Sequence, residues 1–241
     1  MAPPPAVCSA TMPRPPRTIG KWLLGASLLL LLLAAASYAL WDRAVAEWAF
    51  RLPRSWANAA RRLSALGEGV YWMILVFAIG VTGVVRKRPA VAAWAGRTVL
   101  AIAAAGIAAN VLKIIAGRAR PRALDSGVWG FHFLEFGYRF NSFPSGHAAI
   151  AAAVAASICL ARPAAWPLAA GLWLALAGGR VLTGSHFVSD VLAGGAVGIA
   201  LMVLVDRSTR VEELLRRLGA AGREETTAVR DAAGNTSDTG P

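Results

Sequence analysis

The chain has 241 residues, 56% hydrophobic and 16% charged, with a formal net charge of +12. Its apolar residues fall in blocks near the roughly 17 to 25 residues that cross a bilayer, which excludes an ordinary water-soluble domain and implies an integral membrane protein. The 22 Arg lie largely between or beside those blocks, where they orient helices and meet anionic headgroups, so the basic balance points to the bilayer and away from nucleic acid.

Residues 1–20 are Pro-rich and basic and are expected to be disordered. The first apolar block covers 22–41; its flanks admit a signal-peptide reading, but its length, with Trp22 and Trp41 at its ends, favours a retained anchor. Segment 42–63 mixes Arg with Trp, Phe and Leu and is too polar to span. A helix lying in the interface is its simplest reading, and a solvated loop is the other. Further spans follow at 67–85, 91–115, 146–161, 165–182 and 187–205, making six in all. The expected fold is therefore all-α, an integral membrane six-helix bundle over residues 21–206. Residues 207–241 read as a cytoplasmic amphipathic helix passing into a polar, disordered tail. Cys8 stands in the leader and Cys159 inside an apolar run, so there is no disulfide framework and no metal-ligand spacing.

Six spans put both termini on one side. Eleven Lys and Arg fall there (Arg14, Arg17, Lys21, Arg86, Lys87, Arg88, Arg162, Arg207, Arg210, Arg216, Arg217), against five in 42–63, with the loop after the third span set aside. That asymmetry places both termini in the cytoplasm. The segments around 116–144 and 180–186 then share the outer face, and they hold the unusual polar residues.

Lys113 ends the third span, and Arg120 follows seven positions later, just before Pro121. Two helical turns would set both cations on one face, suited to a multiply charged oxyanion. Taken alone, Lys113 reads as a snorkelling lysine and Arg120 as an ordinary interfacial arginine. Pro144-Ser145-Gly146-His147 opens the fourth span, where first-turn N–H groups make an anion seat beside an imidazole. Arg180, His186 and Asp190 form the third group; on a helix His186 and Asp190 share a face, so that Asp190 can fix the imidazole tautomer and free the other nitrogen for attack. A mutually satisfied His–Asp pair inside a bundle is the plainer alternative. Together the three groups supply what phosphoryl transfer needs: cations for the equatorial oxygens, a nucleophile and a proton donor. With no acidic cluster left to hold a metal, cationic side chains and a phosphohistidine route are expected, and no cofactor.

The blocks "KIIAGRARP" (113–121), "PSGH" (144–147) and "RVLTGSHFVSD" (180–190) resemble, in order, the three-part signature of the type 2 phosphatidic acid phosphatase family. The resemblance implies a membrane phosphatase with its site at the extracytoplasmic face of a helical core. It implies that Lys113, Arg120 and Arg180 bind phosphate with Ser145 and the Gly146 N–H, that His186 becomes phosphorylated with Asp190 as its orienting partner, and that His147 protonates the leaving group and later deprotonates water. The implied substrate is a lipid phosphate or diphosphate, such as a polyprenyl diphosphate, phosphatidate, phosphatidylglycerol phosphate or a lipid A phosphate, in a bacterial inner membrane. A lipid phosphotransferase using the same site and a non-catalytic lipid-binding or transport protein are the alternatives; the oligomeric state is not legible. Gly179 stands where family members commonly have Ser, which implies one lost supporting hydrogen bond. His132 matches no family position and is expected to be a surface or packing residue, although "WGFHF" around it is suited to lining a lipid entrance.

Overall fold

Uninterrupted apolar runs punctuated by Pro, Gly and Arg clusters fold into helices in the computed structural model, which describes residues 17–217 apart from 212 and 216. They are α1 (Arg17–Leu40), α2 (Asp42–Phe50), α3 (Arg54–Ala65), α4 (Gly69–Val85), α5 (Pro89–Ala116), α6 (Gly146–Ala161), α7 (Trp166–Leu182) and α8 (Val188–Arg207). Short 3₁₀ turns cover Pro121–Ser126, Tyr138–Phe140 and Pro163–Ala165. Pro89 sits in the first turn of α5 and Pro167 in that of α7, where a missing N–H removes no helical bond. Of the N-terminal segment expected to be disordered, residues 1–16 lie outside the described residues, and α1 already begins at Arg17. Of the tail expected over 207–241, residues 218–241 likewise lie outside them.

The all-α membrane architecture stands, and each of the six expected spans is met by an apolar helix, five of them long enough to cross a membrane and one shorter. Among the described residues, five helical stretches are long and apolar enough to cross a membrane: Thr18–Leu40, Arg54–Val85, Pro89–Ala116, Pro163–Leu182 and Val188–Arg207. The remaining apolar helix, α6, has 16 residues. At 1.5 Å per residue it reaches about 24 Å, short of a hydrocarbon core roughly 30 Å thick. The segment 42–63 is neither a loop nor one helix: α2 and α3 break at Pro53, α3 packs on α7, and the stretch Arg54–Val85 continues through the turn at 66–68.

Packing is inside-out relative to a soluble protein. Ala101, Ala105 and Ala109 on α5 meet Ala149, Ala153 and Ala156 on α6 in the core, with Leu160 and Met202. Large side chains such as Leu28, Leu32, Ile74, Phe77 and Val81 point outward. Where lipid is as apolar as leucine, helices associate by close backbone approach, so small residues belong between them and large ones belong on the bilayer face. α6 is the limiting case: its alanines are buried almost throughout, flanked by α5 and α7. α8 comes equally near, since a Cβ on Gly194 would lie 2.4 Å from the Ser145 carbonyl oxygen. From Asp206 onward the chain forms a separate unit, in which Arg217 Nε donates to Glu213 Oε1 at 2.9 Å.

Candidate active site

The C-terminal ends of α5 and α7 and the N-terminal ends of α6 and α8 carry the residues singled out by sequence. Lys113 lies in the last turn of α5. That helix stops because Gly117 adopts φ 53°, and a Cβ there would stand 1.8 Å from the His132 carbonyl oxygen, a position only glycine can fill. Arg120 therefore lies beyond the helix, not two turns along it, and the expected shared helical face is replaced by convergence of a helix end with the loop that follows. Its guanidinium is fastened to three carbonyls: Nε donates to Tyr138 O (2.9 Å), Nη1 to Ser185 O (3.1 Å) and Nη2 to Asn141 O (3.0 Å). Two of its five N–H groups remain for a ligand. Burial pulls the Arg120 pKa below its ordinary value.

Ser145 caps α6, its Oγ accepting from Ala148 N at 3.5 Å, while its own N–H donates to Asp190 O at 2.9 Å. The first turn of α6 is thereby tied to α8. Lys113 Nζ lies 3.7 Å from where a Cβ on Gly146 would be, which sets the ammonium beside the unsatisfied first-turn N–H groups. His147 follows, its Cδ2 3.7 Å from where a Cβ on Gly67 would be, so the ring faces the turn between α3 and α4. It lies in the combined field of Arg180, His186, Lys113 and Arg120.

Arg180 is in the last turn of α7 and donates from Nη1 to Ser64 Oγ of α3 at 3.1 Å; its Nε is buried without a partner among the described residues. At Gly179 the two helices nearly touch, a Cβ there meeting Ala60 O at 3.3 Å and Ser64 N at 3.4 Å. α3 occupies the room a Ser side chain at 179 would take, and it brings its own hydroxyl, from Ser64, to Arg180.

His186 lies in the loop before α8, which starts at Val188, so His186 and Asp190 are not the helical pair that their spacing suggested. His186 Nδ1 is 2.9 Å from the Ser142 carbonyl oxygen and 3.7 Å from Asp190 Oδ2. A carbonyl accepts and cannot donate, so Nδ1 carries the hydrogen and Nε2 keeps its lone pair. Burial lowers the His186 pKa to about 4, against the opposing pull of Asp190, with Arg120 and Arg180 lowering it further. The ring is neutral at physiological pH.

Asp190 meanwhile accepts at Oδ2 from Ser142 Oγ (2.6 Å) and Phe187 N (2.8 Å), and at Oδ1 from Arg118 Nη1. Ser142, Arg118 and, beyond it, Asp42 were not singled out by sequence as site residues. Ser142 meets His186 through its carbonyl, which has no residue-type signature. Arg118 reads as one more basic residue of a loop, and Asp42 as the polar start of an interfacial segment. His132 is a packing residue, its ring edge-on to Phe140 at 5.0 Å and its N–H bonded to Gly117 O at 3.1 Å.

Residues 94–211 match the family model of the PAP2 superfamily. Over 97 residues the chain is 40% identical to the lipid A 1-phosphatases of Rhizobium etli and Rhizobium johnstonii, a stretch covering 39% of this chain and 40% and 38% of those proteins. It thus spans about two fifths of the length of the curated relatives it matches. The crystal structure of a transmembrane PAP2-type phosphatidylglycerolphosphate phosphatase from Bacillus subtilis is similar at a TM-score of 0.57 and 26% identity, covering 76% of this chain and 93% of that one. With its three signature blocks inside the matched stretch and its helices on a scaffold this similar, the chain belongs to the PAP2 superfamily.

Proposed function

We propose that the protein is a membrane lipid phosphatase that removes the phosphomonoester or diphosphate of a lipid through a phosphohistidine at His186. The observation that carries this reading is the state of His186: buried, neutral, with Nδ1–H committed to Ser142 O and Nε2 left as the free nucleophile. Lys113, Arg120 and Arg180, with Ser145 and the Gly146 N–H, bind the phosphoryl oxygens; the unpartnered Arg180 Nε and the two spare N–H groups of Arg120 are donors for this task.

In the first step the Nε2 lone pair forms a bond to phosphorus and the bond to the lipid oxygen breaks, its electron pair leaving on that oxygen, which His147 protonates. In the second step His147 takes a proton from water, the hydroxide oxygen bonds to phosphorus, and the P–N bond breaks to return neutral His186 and inorganic phosphate. Positioning and charge stabilisation do the remainder, as phosphoryl transfer demands. Cations fill the role that metal ions play elsewhere, so turnover persists in chelator. The lipid A 1-phosphate and phosphatidylglycerol phosphate acted on by the relatives support a lipid substrate bearing a terminal phosphate. The arginine asymmetry supports an extracytoplasmic site in the inner membrane of a bacterium, with both termini cytoplasmic.

The test is phosphate release by purified protein in detergent from phosphatidate, phosphatidylglycerol phosphate, lipid A and a polyprenyl diphosphate, with EDTA present. Release from at least one, lost in His186→Ala, is expected; a strict requirement for added Mg²⁺ would overturn the mechanism.

A further inference from the structure

Arg118 is fully buried, and its guanidinium hydrogen-bonds to Asp42, Ser189 and Asp190, none of them assigned to bind phosphate. Its Nη2 donates to Asp42 Oδ2 at 2.7 Å, and its Nη1 donates to Asp190 Oδ1 and to Ser189 Oγ, the latter at 2.6 Å. Asp42 is as deeply committed: Oδ1 accepts from Ser37 Oγ at 2.8 Å and from Ser189 N at 3.0 Å, and Oδ2 also accepts from Ser189 Oγ. Both ion pairs have no exposed side-chain surface. The Arg118 guanidinium lies within 4.6 Å of the Phe187 ring centroid, 4.9 Å of Tyr38, 5.2 Å of Phe131 and 5.6 Å of Trp129.

Such an assembly is costly to bury and adds little net stability over an apolar replacement, so a reason other than stability is required. Its geometry supplies one. Asp190 Oδ1 is occupied by Arg118, which turns Oδ2 toward Ser142 Oγ, Phe187 N and the His186 ring. Ser142 thus has its hydroxyl on Asp190 and its carbonyl on His186 Nδ1, a short relay from carboxylate to imidazole. Two carboxylates against one guanidinium leave one negative charge in excess, in a dry site where charges act strongly. When Nε2 bonds to phosphorus with Nδ1 still protonated, the ring becomes cationic, and that excess charge lies where it stabilises the ring.

We infer that Arg118 and Asp42 are positioning residues for the nucleophile: through Asp190 and Ser142 they hold the His186 ring in register and offset the positive charge it acquires on phosphorylation. The inference rests on His186 being the phosphorylated residue. It makes α2 part of the catalytic apparatus although none of the residues assigned to bind phosphate lies on it.

The experiment compares full-length wild type, Asp42→Asn and Ser189→Ala in detergent, on whichever of phosphatidate, phosphatidylglycerol phosphate or lipid A the wild type turns over fastest. Rapid quenching reads the rate and amplitude of phosphoenzyme formation. Amplitude counts folded sites, so a purely structural defect lowers amplitude and leaves the rate per site alone. The expected result is a phosphorylation rate lower by about tenfold or more, the loss that removing an outer-shell partner causes for metal-ligating side chains, with KM within about twofold of wild type. Wild-type rates in both variants, or a loss confined to KM, would overturn the inference while leaving the phosphatase reading intact. A wild type that forms no phosphoenzyme takes both down. If Asp42→Asn does not fold, Ser189→Ala decides alone, since it deletes only the hydroxyl shared by Asp42 and Arg118.

Discussion

The chemistry of His186 is set by its surroundings and not by its own tendency to titrate. In an unfolded chain it titrates near 6.5, and in the fold near 4. Between those values the unfolded chain binds more protons, so the stability that neutral His186 contributes is full above about pH 6.5 and is lost as the pH falls toward 4. Thermal unfolding of the wild type in detergent should drop across that window, and His186→Ala should show a shallower drop; equal slopes would contradict a neutral buried ring. Arg118 behaves oppositely to a surface arginine. Replacing it by Met strands Asp42 and Asp190 as unpaired buried carboxylates, at a cost of about 3–5 kcal/mol, and the variant should unfold many degrees lower than wild type. An unchanged unfolding temperature would mean that the network is not formed.

At the scale of elements, the site depends on helix ends held at fixed distances. Ser145 is clamped between its cap on α6 and its N–H bond to Asp190, and the fit leaves no room at Gly194. Gly194→Val should push α8 away from α6, costing about 1–3 kcal/mol as overpacking does and lowering turnover more than substrate affinity; stability and kcat both at wild-type levels would show that the two helices can separate freely. These helices were legible from sequence because each is an uninterrupted apolar run bounded by Pro, Gly or clustered Arg, and their expected limits lie within a few residues of those found. The division of 42–63 into α2 and α3 and the release of Arg120 from α5 were less legible. Both depend on tertiary contacts, of α3 with α7 and of Gly117 with the His132 carbonyl, and these leave no periodic trace in the chain. The Asp42–Arg118–Asp190 network joins residues 76 and 72 positions apart, and no local pattern announces it.

For the whole molecule, the reading requires the loop after α5 and the turn between α4 and α5 to lie on opposite sides of the bilayer, since the 28 residues of α5 separate them by about 42 Å. In a Cys8→Ser, Cys159→Ser background, a cysteine at Gly127 should react with a membrane-impermeant maleimide in intact spheroplasts, and one at Lys87 should not. The reverse pattern would place the site on the cytoplasmic face. Seven polar side chains from four helix ends and two loops converge in a bundle whose remaining core is largely alanine, so the chemistry stands apart from the scaffold. The central claim is the covalent step at His186, and it is tested most directly by trapping. Protein quenched during turnover of a ³²P-labelled lipid phosphate, in chelator, should carry an acid-labile, base-stable label that peptide mass spectrometry places on His186 and that His186→Ala lacks. Steady turnover by the wild type with no such label, or undiminished turnover in His186→Ala, would contradict it.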